Sequence, residues 1–259
     1  MKNIVPTFIN EYLDEKELTK LISIDNEGKL NYNLFKNLLD TPYLKKSYME
    51  YEGFFVAENI LRTELGFDNR SKPGDFDIVI IPFSKKVIHF NKTCAIEVKI
   101  VRPTRMKPSK NANSLGVSQT LGLIHDGFPF VGLLHVCMTE PLKENEKKRI
   151  KYIGGIGGEE AENDILIHEA PEHLMDDFSR WSSIKQMKRL LATDLPKYVG
   201  ICTVGVNVTE KNSFSLAFDM SLNSPYTCGY FNPRRLEETQ NKIKLFFNEY
   251  RHRFREAGK

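Results

Sequence analysis

The chain has 259 residues, with 37 lysines and arginines against 34 aspartates and glutamates, a formal net charge of +3 and 41% apolar residues. That balance excludes wholesale disorder and polycation chemistry in bulk, and the length is enough for one sizeable domain. No apolar run approaches the roughly 18 residues that span a bilayer, and the N-terminal stretch turns acidic early without a signal-peptide core, so the expectation is a cytoplasmic protein with no membrane partner.

Along the chain, apolar residues recur at helical spacing over residues 8–24 and 32–39, which predicts two short helices ahead of a core. Thr41-Pro42 is a natural break, so residues 1–42 read as a helical N-terminal extension and 43–259 as one domain. A longer helix is predicted over 43–65, closed by Gly66, with Glu58 on the stripe defined by Phe54, Leu61 and Leu65. A glutamate on an apolar stripe marks either a structural ion pair or a carboxylate aimed at a site.

Three strands follow, over 77–81, 87–90 and 94–101, joined by links short enough for an antiparallel meander. Asp77 opens the first, and Glu97-Val98-Lys99 interrupts the third. Period two places Ala95, Glu97 and Lys99 on one face. Charges in strands this apolar are costly unless they bind something. Residues 99–110, KIVRPTRMKPSK, hold five basic residues and no acid. Pro103 and Pro108 argue against a regular helix, so a phosphate-binding loop is expected, carried by Arg102, Arg105, Lys107 and Lys110.

A helix over 114–125 places Gln119 on its inward stripe, and a buried strand over 130–138 returns parallel to the sheet. Beyond it, residues 143–151 are mainly basic and predicted as an exposed loop, and 154–158, GGIGG, as a flexible or tight turn. The glycines lack the ending of a phosphate loop, and residues 158–177 carry eight acids, expected as a solvated surface. His168 and His173 do not have zinc-protease spacing. An amphipathic helix over 176–191 contains the single tryptophan, Trp181, expected in the core. A hairpin over 198–220 and a last helix opened by Pro233 complete the chain. Cys94, Cys137, Cys202 and Cys228 read as buried reduced thiols.

Hydrolysis of a phosphodiester needs an activated water, charge stabilisation on the phosphorane and help for the leaving oxygen, all of which Mg²⁺ can supply. Mg²⁺ prefers hard oxygens, so Asp77, Glu97, the Val98 carbonyl and Glu58 are the candidate ligands. Lys99 beside the cation would orient or deprotonate the water, with its pKa depressed. Asp75 is an alternative ligand on the face of Asp77.

Gly74-Asp75-Phe76-Asp77 leading into Ile78-Val79-Ile80, followed by Glu97-Val98-Lys99, resembles the PD-(D/E)xK nuclease superfamily over residues 58–138. Gly-Asp-Phe stands where that motif carries proline. The resemblance implies a restriction-endonuclease-like fold: an αβββαβ core in a mixed sheet flanked by helices, here with N-terminal helical and C-terminal α+β extensions. It assigns Asp77, Glu97, Lys99, Glu58 and Gln119 to catalysis, with Mg²⁺ (or Mn²⁺) as cofactor. It implies a DNA endonuclease in restriction, phage defence, repair or mobile-element biology, with RNA as a variant substrate and a homodimer or partners in trans. Two other classes stand beside it. One is a non-catalytic nucleic-acid-binding or regulatory protein. The other is a structural or partner-binding protein in which Glu97 and Lys99 merely pair with each other and Glu58 lies far away.

Overall fold

The computed structural model of the chain describes residues 15–25, 27–31, 34–35, 51–68, 74–111, 115–139, 142–150, 153–155, 167–169, 173–175, 177–208, 214–217 and 229–258. In chain order the principal elements are α1 (Glu15–Ser23), β1 (Gly53–Ile60), β2 (Phe76–Ser84), β3 (Val87–Ile88), β4 (Cys94–Val101), α2 (Val117–His125) and β5 (Phe130–Met138). Short strands β6 (Lys148–Ile150), β7 (Ile153–Gly155), β8 (Ile167–Glu169) and β9 (His173–Met175) come next. They are followed by α3 (Phe178–Leu191), β10 (Gly200–Val208), β11 (Phe214–Ala217), α4 (Glu237–Glu249) and β12 (Arg255–Gly258).

The fold is α/β around one mixed sheet of order β11-β10-β5-β4-β2-β1-β12, with β3 appended to β2. The pairs β4/β5 and β5/β10 are parallel. The pairs β2/β4, β1/β2, β1/β12 and β10/β11 are antiparallel. β5 is buried at all nine positions, the continuous apolar run that a central parallel strand with both faces covered requires. Two apolar clusters cover the two faces. Leu18 and Ile22 of α1 pack with Val56, Ile78, Ile80, Ile96 and Val98. Leu123 of α2, Met187 of α3 and Phe247 of α4 pack with Ala57, Val79, Ala95 and Leu133.

The helix expected over 43–65 is replaced by β1 from Gly53 onward, and residues 43–50 lie outside the described residues. A strand buried on both faces reads as an unbroken apolar run, and Gly-Phe-Phe-Val-Ala fits a helical stripe as well as it fits a strand. The aromatic and β-branched enrichment of that run was the signal for a strand. Consequently the antiparallel meander is β1-β2-β4, not the expected three strands over 77–101. The expected strand over 87–90 shrinks to the two-residue β3, which pairs only with the end of β2. Among the described residues α1 lies ahead of the meander, with a further helical pair at Leu34 and Phe35 between them.

Three smaller expectations also change. Gly154 and Gly155 lie in β7, paired with β8, instead of forming a turn. Residues 148–150 form β6, paired with β9. The last helix starts at Glu237, because Asn232 turns the chain before it and donates its side-chain amide to the Ile124 and Phe128 carbonyls. Cys94, Cys137 and Cys202 are buried free thiols, and Cys228 lies outside the described residues.

Glu58 shows how the new register redistributes roles. It pairs across the sheet with Ile78, which pairs with Ile96, so Glu58 shares their face and not that of Glu97. There it meets Arg255 of β12, and Ser23 of α1 donates to its Oε1 at 2.5 Å. The strand, the chain terminus and α1 are thereby pinned together. Replacing Arg255 by alanine leaves a nearly buried carboxylate without its cation. The expected loss is roughly 1–3 kcal/mol in urea-induced unfolding, and Glu58→Gln should be milder. Equal stability of Arg255→Ala and the parent chain would show that the pin contributes nothing.

Candidate functional site

The β2/β4 ladder runs through Ile80–Cys94, Val79–Ala95 and Ile78–Ile96 and stops there. One residue further, Asp77 and Glu97 would be the next pair. Instead, the Asp77 carboxylate accepts the Val98 backbone N–H at 2.7 Å. A side chain thus takes an amide near the point where the strands part. Since Asp77 and Glu97 share the face of Val79 and Ala95, the parting leaves two carboxylates on one face of the sheet.

Lys99 completes the group. Its Nζ lies 2.8 Å from Glu97 Oε1 and 2.6 Å from Glu15 Oε1. Glu97 is 1% exposed, whereas Glu15, in the first turn of α1, keeps about a third of its side chain open. Three acids therefore surround one cation. Burial and then the neighbouring Asp77 charge push Glu97 up to about 8. Burial raises Asp77 to about 6 against the Val98 hydrogen bond that lowers it. The carboxylates outweigh burial at Lys99 and hold its pKa above the ordinary lysine value. With these carboxylates as its neighbours Lys99 is a cation, and the depression expected from the sequence belongs to a site with a divalent ion beside the lysine.

The flanks are closely fitted. Gly116, with φ of +82°, leads into α2, and a Cβ there would lie 2.9 Å from Lys99 Cγ and 3.3 Å from Glu97 Cγ. Only glycine allows both that backbone and that approach. Gln119 Nε2 lies over Gly74, just ahead of β2, 2.5 Å from where a Cβ would stand. His135 of β5 is the cross-strand neighbour of Lys99 and fully buried. Its Nε2 hydrogen-bonds to the Leu115 carbonyl at 2.9 Å, and its Nδ1 meets Gln186 Nε2 of α3 at 3.2 Å. Gln186 Oε1 in turn accepts the Lys110 backbone N–H at 3.1 Å, which anchors the basic loop.

The structure thus gathers Asp77, Glu97 and Lys99, sets Gln119 beside the entry to β2, and places the basic loop directly after β4. It does not bring Glu58 to them. Asp75 accepts the Arg62 backbone N–H at 3.3 Å. Arg102, Arg105 and Lys107 are exposed and Lys110 is half-buried, with Arg105 paired to Glu146 at 2.8 Å. The residue missed by sequence reasoning is Glu15. It lies in the first predicted helix, and a second predicted helix over 32–39 stands between it and β1, so chain order alone did not single it out. His135 and Gln186 gave no motif signal.

Among the described residues no group of three or more His, Cys, Asp and Glu side chains stands ready to hold a metal ion, and Lys99 Nζ lies between two of the acids. The donor chemistry nevertheless suits a hard divalent cation: carboxylates only, with the buried Glu97 Oε1 ion-paired but lacking a well-aligned hydrogen bond.

Burial lowers the His135 pKa from 6.5 to about 4, with the Lys99 charge adding to the effect. The unfolded chain then takes up the proton first. His135 stability is fully present above about 6.5 and is lost as pH falls towards 4, by at most about 3 kcal/mol. His135→Gln should flatten the acid limb of the pH–stability curve across that window while lowering stability at pH 7. An unchanged acid limb in the variant would refute the neutral buried assignment. No family model, curated protein or solved structure matches this chain, so its function is read from the geometry alone.

Proposed function

We propose that this chain is a metal-dependent nuclease that hydrolyses phosphodiester bonds of DNA. The observation that carries the reading is the meeting of Asp77, Glu97 and Lys99 on one face where β2 and β4 part, joined by Glu15. Supporting it is the order α1, meander β1-β2-β4, crossover α2 and parallel β5, the αβββαβ arrangement of a restriction-endonuclease-like core. Burial raises both carboxylates beside a lysine, the kind of perturbed group that marks a functional-site candidate.

In this reading Asp77, Glu97 and the Val98 carbonyl hold Mg²⁺ or Mn²⁺, with Glu15 in the role the sequence gave to Glu58. The ion, when bound, activates water and offsets charge on the phosphorane. Lys99 donates to a non-bridging phosphate oxygen and orients the attacking water. Gln119 positions the strand entering the cleft. The basic loop supplies sequence-independent phosphate contacts from Arg102, Lys107 and Lys110.

The structural reading is favoured by one specific observation. Glu97 and Lys99 do pair with each other, and Glu58 lies on the opposite face. Against it, a bare ion pair calls for neither Asp77 nor Glu15, and each added acid raises the cost of burial.

Cleavage of supercoiled plasmid and single-stranded DNA, in Mg²⁺, Mn²⁺ or EDTA, separates these readings. The parent chain should cut only with metal. Lys99→Ala and Glu97→Ala should lose at least about 100-fold in rate, on the scale of one charge-stabilising group. Glu58→Gln should keep its rate. In parallel, Mg²⁺ should raise Tm in the parent and not in Glu97→Ala. Absence of both cutting and a thermal shift would leave the pair as a structural feature.

A further inference from the structure

The single tryptophan is not in the core. Trp181 lies on α3 and is 52% exposed. Helix α3 carries Arg180, Lys185, Lys188 and Arg189 and no acidic residue. Trp181, Lys185 and Lys188 recur at i, i+4 and i+7 and so share one face. Lys185 Nζ stands 3.6 Å from the centroid of the Trp181 ring, holding a cation against the indole. Exposing this much of the most costly aromatic side chain next to cations is unusual for a purely structural helix.

What lies beneath the helix connects it to the candidate site. The buried side of α3 joins the apolar Met187 and Leu190 to a small polar set, Ser179, Ser182, Ser183 and Gln186. Gly205 of β10 has no Cβ, and one there would lie 2.6 Å from the Ser179 carbonyl carbon, so the helix backbone rests directly on the sheet. Lys99, His135 and Thr203 form one row across β4, β5 and β10. Thr203 Oγ1 donates to the Ser183 carbonyl at 2.9 Å, and His135 meets Gln186. Helix α3 therefore stands on the row that begins with Lys99, about 10 Å across the sheet at two strand spacings. The same Gln186 anchors the basic loop through Lys110.

We infer that the outer face of α3 is a docking surface for unpaired nucleotides of DNA, with a base stacked on Trp181 and the flanking phosphates on Lys185 and Lys188. This rests on the nuclease reading and deepens it: the strand leaves the cleft over the basic loop and is gripped on α3. Charge complementarity selects a polyanion, and the exposed indole among those charges selects one with planar bases. A base in a duplex is already stacked, so the surface discriminates in favour of single-stranded or frayed ends.

Because Trp181 is the sole tryptophan, its emission reports directly on this surface. The experiment titrates the full chain in EDTA with oligo-dT, with a matched duplex and with an abasic strand of equal length. Emission is followed alongside the anisotropy of labelled strands. Oligo-dT should quench the emission to saturation, whereas the abasic strand and duplex should quench little. Trp181→Ala should bind oligo-dT roughly 10-fold more weakly, Trp181→Phe should recover most of the loss, and all variants should keep the parent Tm. Three results overturn the inference: no binding of any strand, binding with unchanged emission, or equal quenching by the abasic strand, which would mark a charge-only surface. Cleavage under Mg²⁺ separates the two readings. Metal-dependent cutting with equal KM in Trp181→Ala rejects the docking surface and leaves the nuclease standing. Quenching without cutting rejects the nuclease and keeps the surface.

Discussion

The Asp77–Val98 hydrogen bond is the constraint on which the site depends. A sheet of apolar strands has every reason to continue its ladder, and an amide left unpaired beside the core costs more than most surface interactions return. Asp77 satisfies that amide with a carboxylate, a charge-assisted bond stronger than the ladder bond it stands in for. The strands can then part without an orphaned N–H. The parting sets Glu97 against Asp77, between the apolar clusters that cover the two faces of the sheet.

A second constraint acts from the ends of the described chain. Helix α1 is short and would be marginal alone. Leu18 and Ile22 bury against the sheet, and Ser23 joins Glu58 and Arg255. Residues 23, 58 and 255 thus converge on one point, which fixes the C-terminal end of α1. Its N-terminal turn then presents Glu15 to Lys99. Glu58 serves the site by positioning the helix that carries another acid.

Much of this was legible in the sequence where pattern and burial agree. The apolar runs of β4 and β5 are bounded correctly because both faces of each strand are covered and the flanking turns are short. Asp77, Glu97 and Lys99 stood out because charges interrupt those runs. The failures have separate causes. For β1, a doubly buried strand has no period, so Glu58 fell on an imagined helical stripe and Glu15 was overlooked. For α3, the exposed tryptophan was taken for core because hydrophobicity alone ranks it there, while three serines are buried near the close backbone approach of Ser179 to Gly205. His135 and Gln186 are ordinary residues in sequence, and their connection is made entirely by strand register and helix docking.

The charge distribution gives these pieces a common logic. Glu97, pushed up to about 8, is largely protonated at neutral pH, and a cation bound beside it would favour its charged form. The residues immediately outside, from the loop after β4 to the face of α3, are basic. Acids gathered at the centre and basic residues beside them cancel in the near-neutral total, which conceals both. Lys99 sits on the boundary, held protonated by Glu97 and Glu15. Any phosphate that reaches Lys99 competes with Glu15 for the same ammonium group. Because Glu15 is the more exposed of the two partners, that contact can yield while the buried Glu97 contact stays.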